Sequence, residues 1–137
     1  MSVSQGSAPL GADLRPQSAL SLELQRLTAQ TFRVSGKDPL GSAPLLRCGL
    51  RGAVLECGAA VRLAARSPSA TAVRELGVAR GALGAYRRVL YIALRNQLLS
   101  NPTFDRLHAQ CHRLGAALTE AQRVHLAPDA QTRPHRR

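Results

Sequence analysis

Tryptophan is missing from this chain, and aromatic residues supply only 3% of it as two tyrosines and two phenylalanines, so a sheet built on aromatic cross-strand pairs has little material. Lysine is nearly missing as well: Lys37 stands alone beside 18 arginines. The 8 acidic residues leave a formal net charge of +11 and offer no pair of carboxylates placed for acid–base work. Cys48, Cys57 and Cys111 form no C-x-x-C pair, and an odd number of cysteines argues against a disulfide framework. Cys48 and Cys57 lie about 180° apart around a helix and cannot face one site, so buried, reduced thiols are expected. No run reaches about 18 apolar residues without a charge, and residues 1–15 lack a basic opening followed by an apolar stretch. The expectation is a cytoplasmic protein with neither signal peptide nor membrane contact. There is also no G-x-x-x-x-G-K-[ST] loop, no G-x-G-x-x-G after a strand and no G-x-S-x-G elbow. The chain is therefore read as a non-enzyme, with no catalytic residue and no cofactor.

What the chain does have is alanine and leucine, 22 of each, spaced with a period of 3.6 in four segments. A first helix is expected over about 18–33, with Leu20, Leu24, Leu27 and Thr31 inward, ending at Ser35-Gly36-Lys37-Asp38-Pro39. A second is expected over about 44–66, carrying Leu46, Leu50, Val54, Cys57, Val61 and Ala64 on one face until Ser67-Pro68-Ser69. The third, over about 70–99, places Leu76, Ala79, Leu83, Tyr86, Leu90 and Leu94 on one stripe. The fourth opens with Asn101 as N-cap and Pro102 at the first helical position, then repeats Phe104, Leu107, Cys111, Leu114, Leu118 and Ala121 until Pro128. Four amphipathic helices with short turns specify an all-α fold, an antiparallel up-down-up-down four-helix bundle. Residues 1–16 and the basic tail 128–137 are expected to be disordered around a bundle spanning 17–127.

Arginine excess directs attention to anionic partners, RNA or DNA first, although a chain this rich in Arg, Ala, Leu, Gly and Pro also fits a compositional bias. Arg47, Arg51, Arg62 and Arg66 project within about 100° on the second helix. Arg74, Arg88 and Arg95 fall within about 60° on the third, beside Gly77, Gly81 and Gly84, where a phosphate or a neighbouring chain can approach the backbone. These seven arginines are the candidate nucleic-acid contacts; a solvated charged face is the alternative. Val78, Ala82, Val89 and Ile92 make a second apolar patch on the third helix, read as an oligomer or partner interface or as part of a wider core. His108 and His112 stand at i and i+4, but two imidazoles are too few for a zinc site and no Glu accompanies them, so no metal is expected. Tyr86 and Tyr91 are read as packing residues rather than stacking platforms.

Between residues 41 and 123 stand Leu45-Leu46-Arg47-Cys48-Gly49-Leu50-Arg51-Gly52-Ala53 leading to Glu56-Cys57-Gly58, and Ala79-Arg80-Gly81-Ala82-Leu83-Gly84-Ala85 leading to Leu90-Tyr91-Ile92-Ala93-Leu94. Leu98-Leu99-Ser100 and the stretch from Phe104 to Leu118 follow. This order of features resembles the bacterial four-helix-bundle superfamily that contains the ribosomal-RNA intervening-sequence proteins and the accessory variability determinant (Avd) proteins of diversity-generating retroelements. The chain departs from the family where an Asn-x-x-Glu-Gly run is usual, and no Trp closes the last helix. The resemblance implies a homopentamer with a basic exterior or channel that contacts a reverse transcriptase and its template RNA, with no catalysis of its own. The rival expectation is a helical oligomeric scaffold whose protein partner docks on Val78, Val89 and Ile92.

Overall fold

The computed structural model describes residues 15–132, with side chains over 19–126. Four helices account for nearly all of it: α1 (Arg15–Ser35), α2 (Pro44–Ala65), α3 (Ser69–Arg95) and α4 (Asn101–Thr132), with a 3₁₀ turn at Leu40–Ser42. Most of the expected disordered segments, 1–14 and 133–137, lie outside the described residues. The helical backbone reaches further at both ends than the spacing suggests, starting at Arg15 and running through Pro128 to Thr132.

Each helix packs on its two chain neighbours, and α4 returns against α1 to close the ring. The side-chain contacts give every pair its direction. Gln122 Nε2 donates to Val73 O at one end of α3 and α4, while Tyr91 meets His108 at the other. Arg51 bonds Ser35 near one end of α2 and α1, and Gly58 faces Leu24 further along. Gly49 faces Val89 between α2 and α3, and Val61 shares a cavity wall with Leu76 more than three turns away. Glu23 meets Arg113 between α1 and α4, while Arg33 and Arg106 line one pocket nearer the other end. Residue numbers rise on one helix as they fall on its neighbour throughout, which is the up-down-up-down bundle.

The stripes expected from the spacing are the buried ones: Leu20, Leu24, Leu27, Leu50, Val54, Leu76, Leu83, Leu90, Leu107, Leu114 and Leu118 all enter one core. Leu46 and Leu94 are half-buried at its margin. Small residues set the closest approach. Alanines 53, 60, 72, 79, 82 and 93 are buried between the helices, and a Cβ added at Gly49 would meet both methyls of Val89 at 3.4 Å. One polar link crosses this apolar interior. Thr31 Oγ1 donates to Leu27 O at 2.6 Å, so its hydroxyl has no second proton and accepts from the Tyr86 hydroxyl at 2.7 Å, joining α1 to α3.

The α3–α4 turn differs from the expectation at both of its ends. Helix α3 stops at Arg95 rather than Leu99, because Leu98 N donates to Ala93 O at 2.9 Å and Gln97 N to Leu94 O at 3.0 Å. These paired bonds are a Schellman cap, with Gln97 at φ 61 in the left-handed position that glycine usually fills. Leu99 then folds back into the core. Helix α4 is capped one residue earlier than expected: Ser100 Oγ accepts from Thr103 N, so Asn101 and Pro102 occupy the first two helical positions.

Two consequences are open to measurement. Gln97→Gly relieves the left-handed cost and is expected to stabilise the protein by about 1 kcal/mol in urea unfolding; a loss of stability would exclude the cap as described. The second concerns alkali. Burial pushes the Cys57 thiol up from 9.0 to about 11, with Glu56 adding to it, and pushes the Cys111 thiol up to about 12 against the pull of Arg87. Burial likewise pushes the Tyr86 phenol well above its ordinary value. A raised folded-state pKa contributes stability in full below the unfolded value and loses it as pH climbs toward the folded one. Unfolding free energy is therefore expected to fall from about pH 9 upward, less steeply in the Cys57→Ala/Cys111→Ala variant.

Candidate nucleic-acid interface

Only Arg26, Arg113 and Arg123 form ion pairs among the described residues, the first two with Glu23 and the last with Glu120. The hydrogen bonds and charge of Arg123 hold the exposed Glu120 carboxyl below its usual range. Several other guanidinium groups meet neutral partners: Arg33 donates to Gln30, Arg47 to Gly41 O, Arg51 to Ser35 and Arg80 to Gln122, and Arg87 bonds the Cys111 thiol.

The seven arginines singled out from the sequence divide accordingly. Arg47 and Arg51 are half-buried and tie the α1–α2 corner. Arg47 Nη1 donates to Gly41 O at 2.7 Å, and Arg51 Nε donates to Ser35 Oγ at 2.7 Å while its Nη2 reaches Phe32 O. The Arg51 guanidinium also lies 4.7 Å over the Phe32 ring. Arg62 and Arg66 are exposed further along α2, with the Arg62 side chain folded beside Gly58. Arg74, Arg88 and Arg95 are all exposed on α3, and Arg88 leans over Gly84. Within the α2 stripe, Arg47 and Arg51 thus bond inside the fold while Arg62 and Arg66 face solvent.

The apolar patch is corrected in the same way. Ala82 is only 5% exposed and belongs to the core, and Val89 closes on Gly49 of α2. The wider core is thus the right reading for these two. Val78 at 45% and Ile92 at 46% remain on the surface, joined on the outer side of α2 by Leu45, Leu55 and Leu63.

A groove of about 640 Å³ runs along the outer seam of α3 and α4. Gly77, Gly81 and Gly84 from α3 and Gly115 from α4 line it, and a Cβ at Gly81 would meet nothing within 4 Å. Arg80, Arg87, His112 and Thr119 give its polar edges, and no carboxylate among the described residues lines it. Arg80 Nη1 is held by Gln122 Oε1 at 3.0 Å, and Arg87 lies against the Gly115 backbone, where an added Cβ would stand 3.2 Å from Nη2. Beyond the groove on the same seam, Tyr91, Phe104 and His108 form a ring cluster. Tyr91 packs on Phe104 and His108 while 46% of its surface stays exposed, whereas Tyr86 is in the core.

Arg80 and Arg87 were not among the sequence candidates, although their i, i+7 spacing puts them on one side of α3. The groove needs α4 for its second wall, and only the pairing register brings Gly115 and His112 opposite them. No group of three or more His, Cys, Asp or Glu able to hold a metal ion occurs among the described residues. No described helix is long and apolar enough to cross a membrane. Comparison of the chain with known protein families, curated proteins and solved structures finds no match.

The division of arginines gives a direct expectation. Arg51→Ala removes charge-assisted bonds at the α1–α2 corner and is expected to cost about 1.5–3 kcal/mol of stability, whereas Arg88→Ala or Arg95→Ala changes it by less than about 0.5 kcal/mol. Chemical denaturation of the three variants checks this, and equal stabilities would contradict the separation.

Proposed function

We propose that this protein is a non-enzymatic, basic accessory protein that binds nucleic acid through its arginine surface. The observation that carries the reading is the α3–α4 seam: its groove is edged by Arg80, Arg87 and His112 with no opposing carboxylate among the described residues, and exposed Arg74, Arg88 and Arg95 stand on the same helix. Unpaired guanidinium groups around a concave surface favour phosphate, which they can meet in bidentate geometry. The resemblance to the Avd superfamily gives the proposal its sharper form. In that form the protein works as a homo-oligomer, a pentamer by resemblance, alongside a reverse transcriptase and its template RNA in a diversity-generating retroelement.

A second reading, an oligomeric protein-interaction scaffold with no nucleic-acid role, is favoured by a different observation: Leu45 is 88% exposed, and Val78 and Ile92 lie on the surface of the adjoining helix. Light scattering of the purified protein across a salt series, with and without a structured RNA, separates the two. Binding is expected to weaken with log salt by a slope of about −0.7 to −0.9 for each phosphate neutralised, and charge reversal at Arg88 and Arg95 is expected to flatten that slope. A particle that ignores RNA at low salt, and whose size collapses on Ile92→Glu, would replace the nucleic-acid reading with the scaffold.

A further inference from the structure

Resting on the nucleic-acid reading, we infer that the α3–α4 seam binds a single strand rather than a duplex, with the Tyr91–Phe104–His108 cluster receiving a base while Arg80 and Arg87 hold the backbone. The rings are already ordered for this. His108 stacks on Phe104 with centroids 5.3 Å apart and planes at 20°, and Tyr91 leans on both at 5.1 Å and 5.8 Å. The Tyr91 hydroxyl meets His108 Nε2 at 3.3 Å. Phe104 is buried behind them, so the pair is backed by the core, yet Tyr91 is 46% exposed. Half an aromatic ring left in water beside a fixed imidazole offers a flat apolar surface whose orientation a ligand need not organise.

The register along α3 joins this cluster to the cations. Arg80, Arg87, Tyr91 and Arg95 follow at steps of seven, four and four residues, which is a path of roughly 22 Å at 1.5 Å per residue. Cations alternating with an exposed ring along a concave seam suit a strand whose bases are free to stack and whose phosphates line one side. A duplex keeps its bases paired inside and presents nothing for the rings, and its width does not enter a seam between two packed helices. The glycines deepen the seam, bringing a phosphate close to the α3 backbone without a Cβ in the way.

Fluorescence anisotropy of the full chain with labelled oligonucleotides of about 12 nucleotides tests this. Ribo- and deoxyribo-strands, the matching duplex and an abasic strand of equal phosphate count are compared at one salt concentration. The intact strand is expected to bind roughly tenfold more tightly than the abasic one, and Tyr91→Leu, which keeps an apolar cover over Phe104, is expected to abolish that difference while leaving abasic binding unchanged. Arg80→Gln/Arg87→Gln is expected to weaken both strands alike. A preference for ribo- over deoxyribo-strands would assign the ligand as RNA, equal affinity as either. A duplex bound as tightly as the strand, or discrimination that survives Tyr91→Leu, would overturn the stacking site while leaving nucleic-acid binding in place. No binding of any strand at low salt would overturn the nucleic-acid reading as well.

Discussion

Eight acids cannot neutralise nineteen basic side chains, and that imbalance conditions the whole molecule. Ion pairing among the described residues is confined to Glu23 and Glu120, so cohesion has to come from the apolar interior while the surface repels itself. None of the four helices carries an acid in its first turn, so no side-chain charge there complements the positive end of the helix dipole. The remaining guanidinium groups have two outlets. Some donate to backbone or hydroxyl oxygens, as Arg47 and Arg51 do at the α1–α2 corner, and become part of the fold. Others, such as Arg74, Arg88 and Arg95, stand exposed along α3, beside its glycines.

Much of the fold was legible because its periodicity is strong. The inner faces of all four helices follow from apolar spacing alone, since Leu and Ala at three- and four-residue intervals leave one way to bury a stripe. The α3–α4 turn was less legible for specific reasons. Leu98 and Leu99 continue the apolar pattern, and Gln97 gives no glycine signal at the left-handed position, so the spacing carries the expected helix past its true end. Ser100 and Asn101 are both good N-caps, and the hydroxyl of the first is the one used. Ala82 and Val89 read as a second exposed patch because the width of the core depends on how closely α2 approaches, which Gly49 decides from another helix.

The candidate site was legible in its ingredients and not in its assembly. Arg74, Arg88, Arg95 and the three glycines of α3 mark the right helix. Arg80 and Arg87 acquire their meaning only when Gly115 and His112 arrive from α4, and Tyr91 only when Phe104 and His108 stand behind it. Both the groove and the ring cluster are products of the antiparallel register between two helices, which no single helical projection contains. On α2 the projection hides a division: four arginines share it, but two of them are drawn into the corner that holds α1.

The scarcity of aromatic residues has an optical side. With no tryptophan in the chain, near-ultraviolet emission belongs to two tyrosines placed in opposite environments. Tyr86 is sealed in the core with its hydroxyl on Thr31, and Tyr91 sits half in solvent against His108. One phenol thus senses whether the interior is intact and the other senses only what reaches the outer seam. A Tyr86→Phe chain would carry a single native fluorophore at the surface, so the protein brings its own spectroscopic label to the place where its ligand is expected.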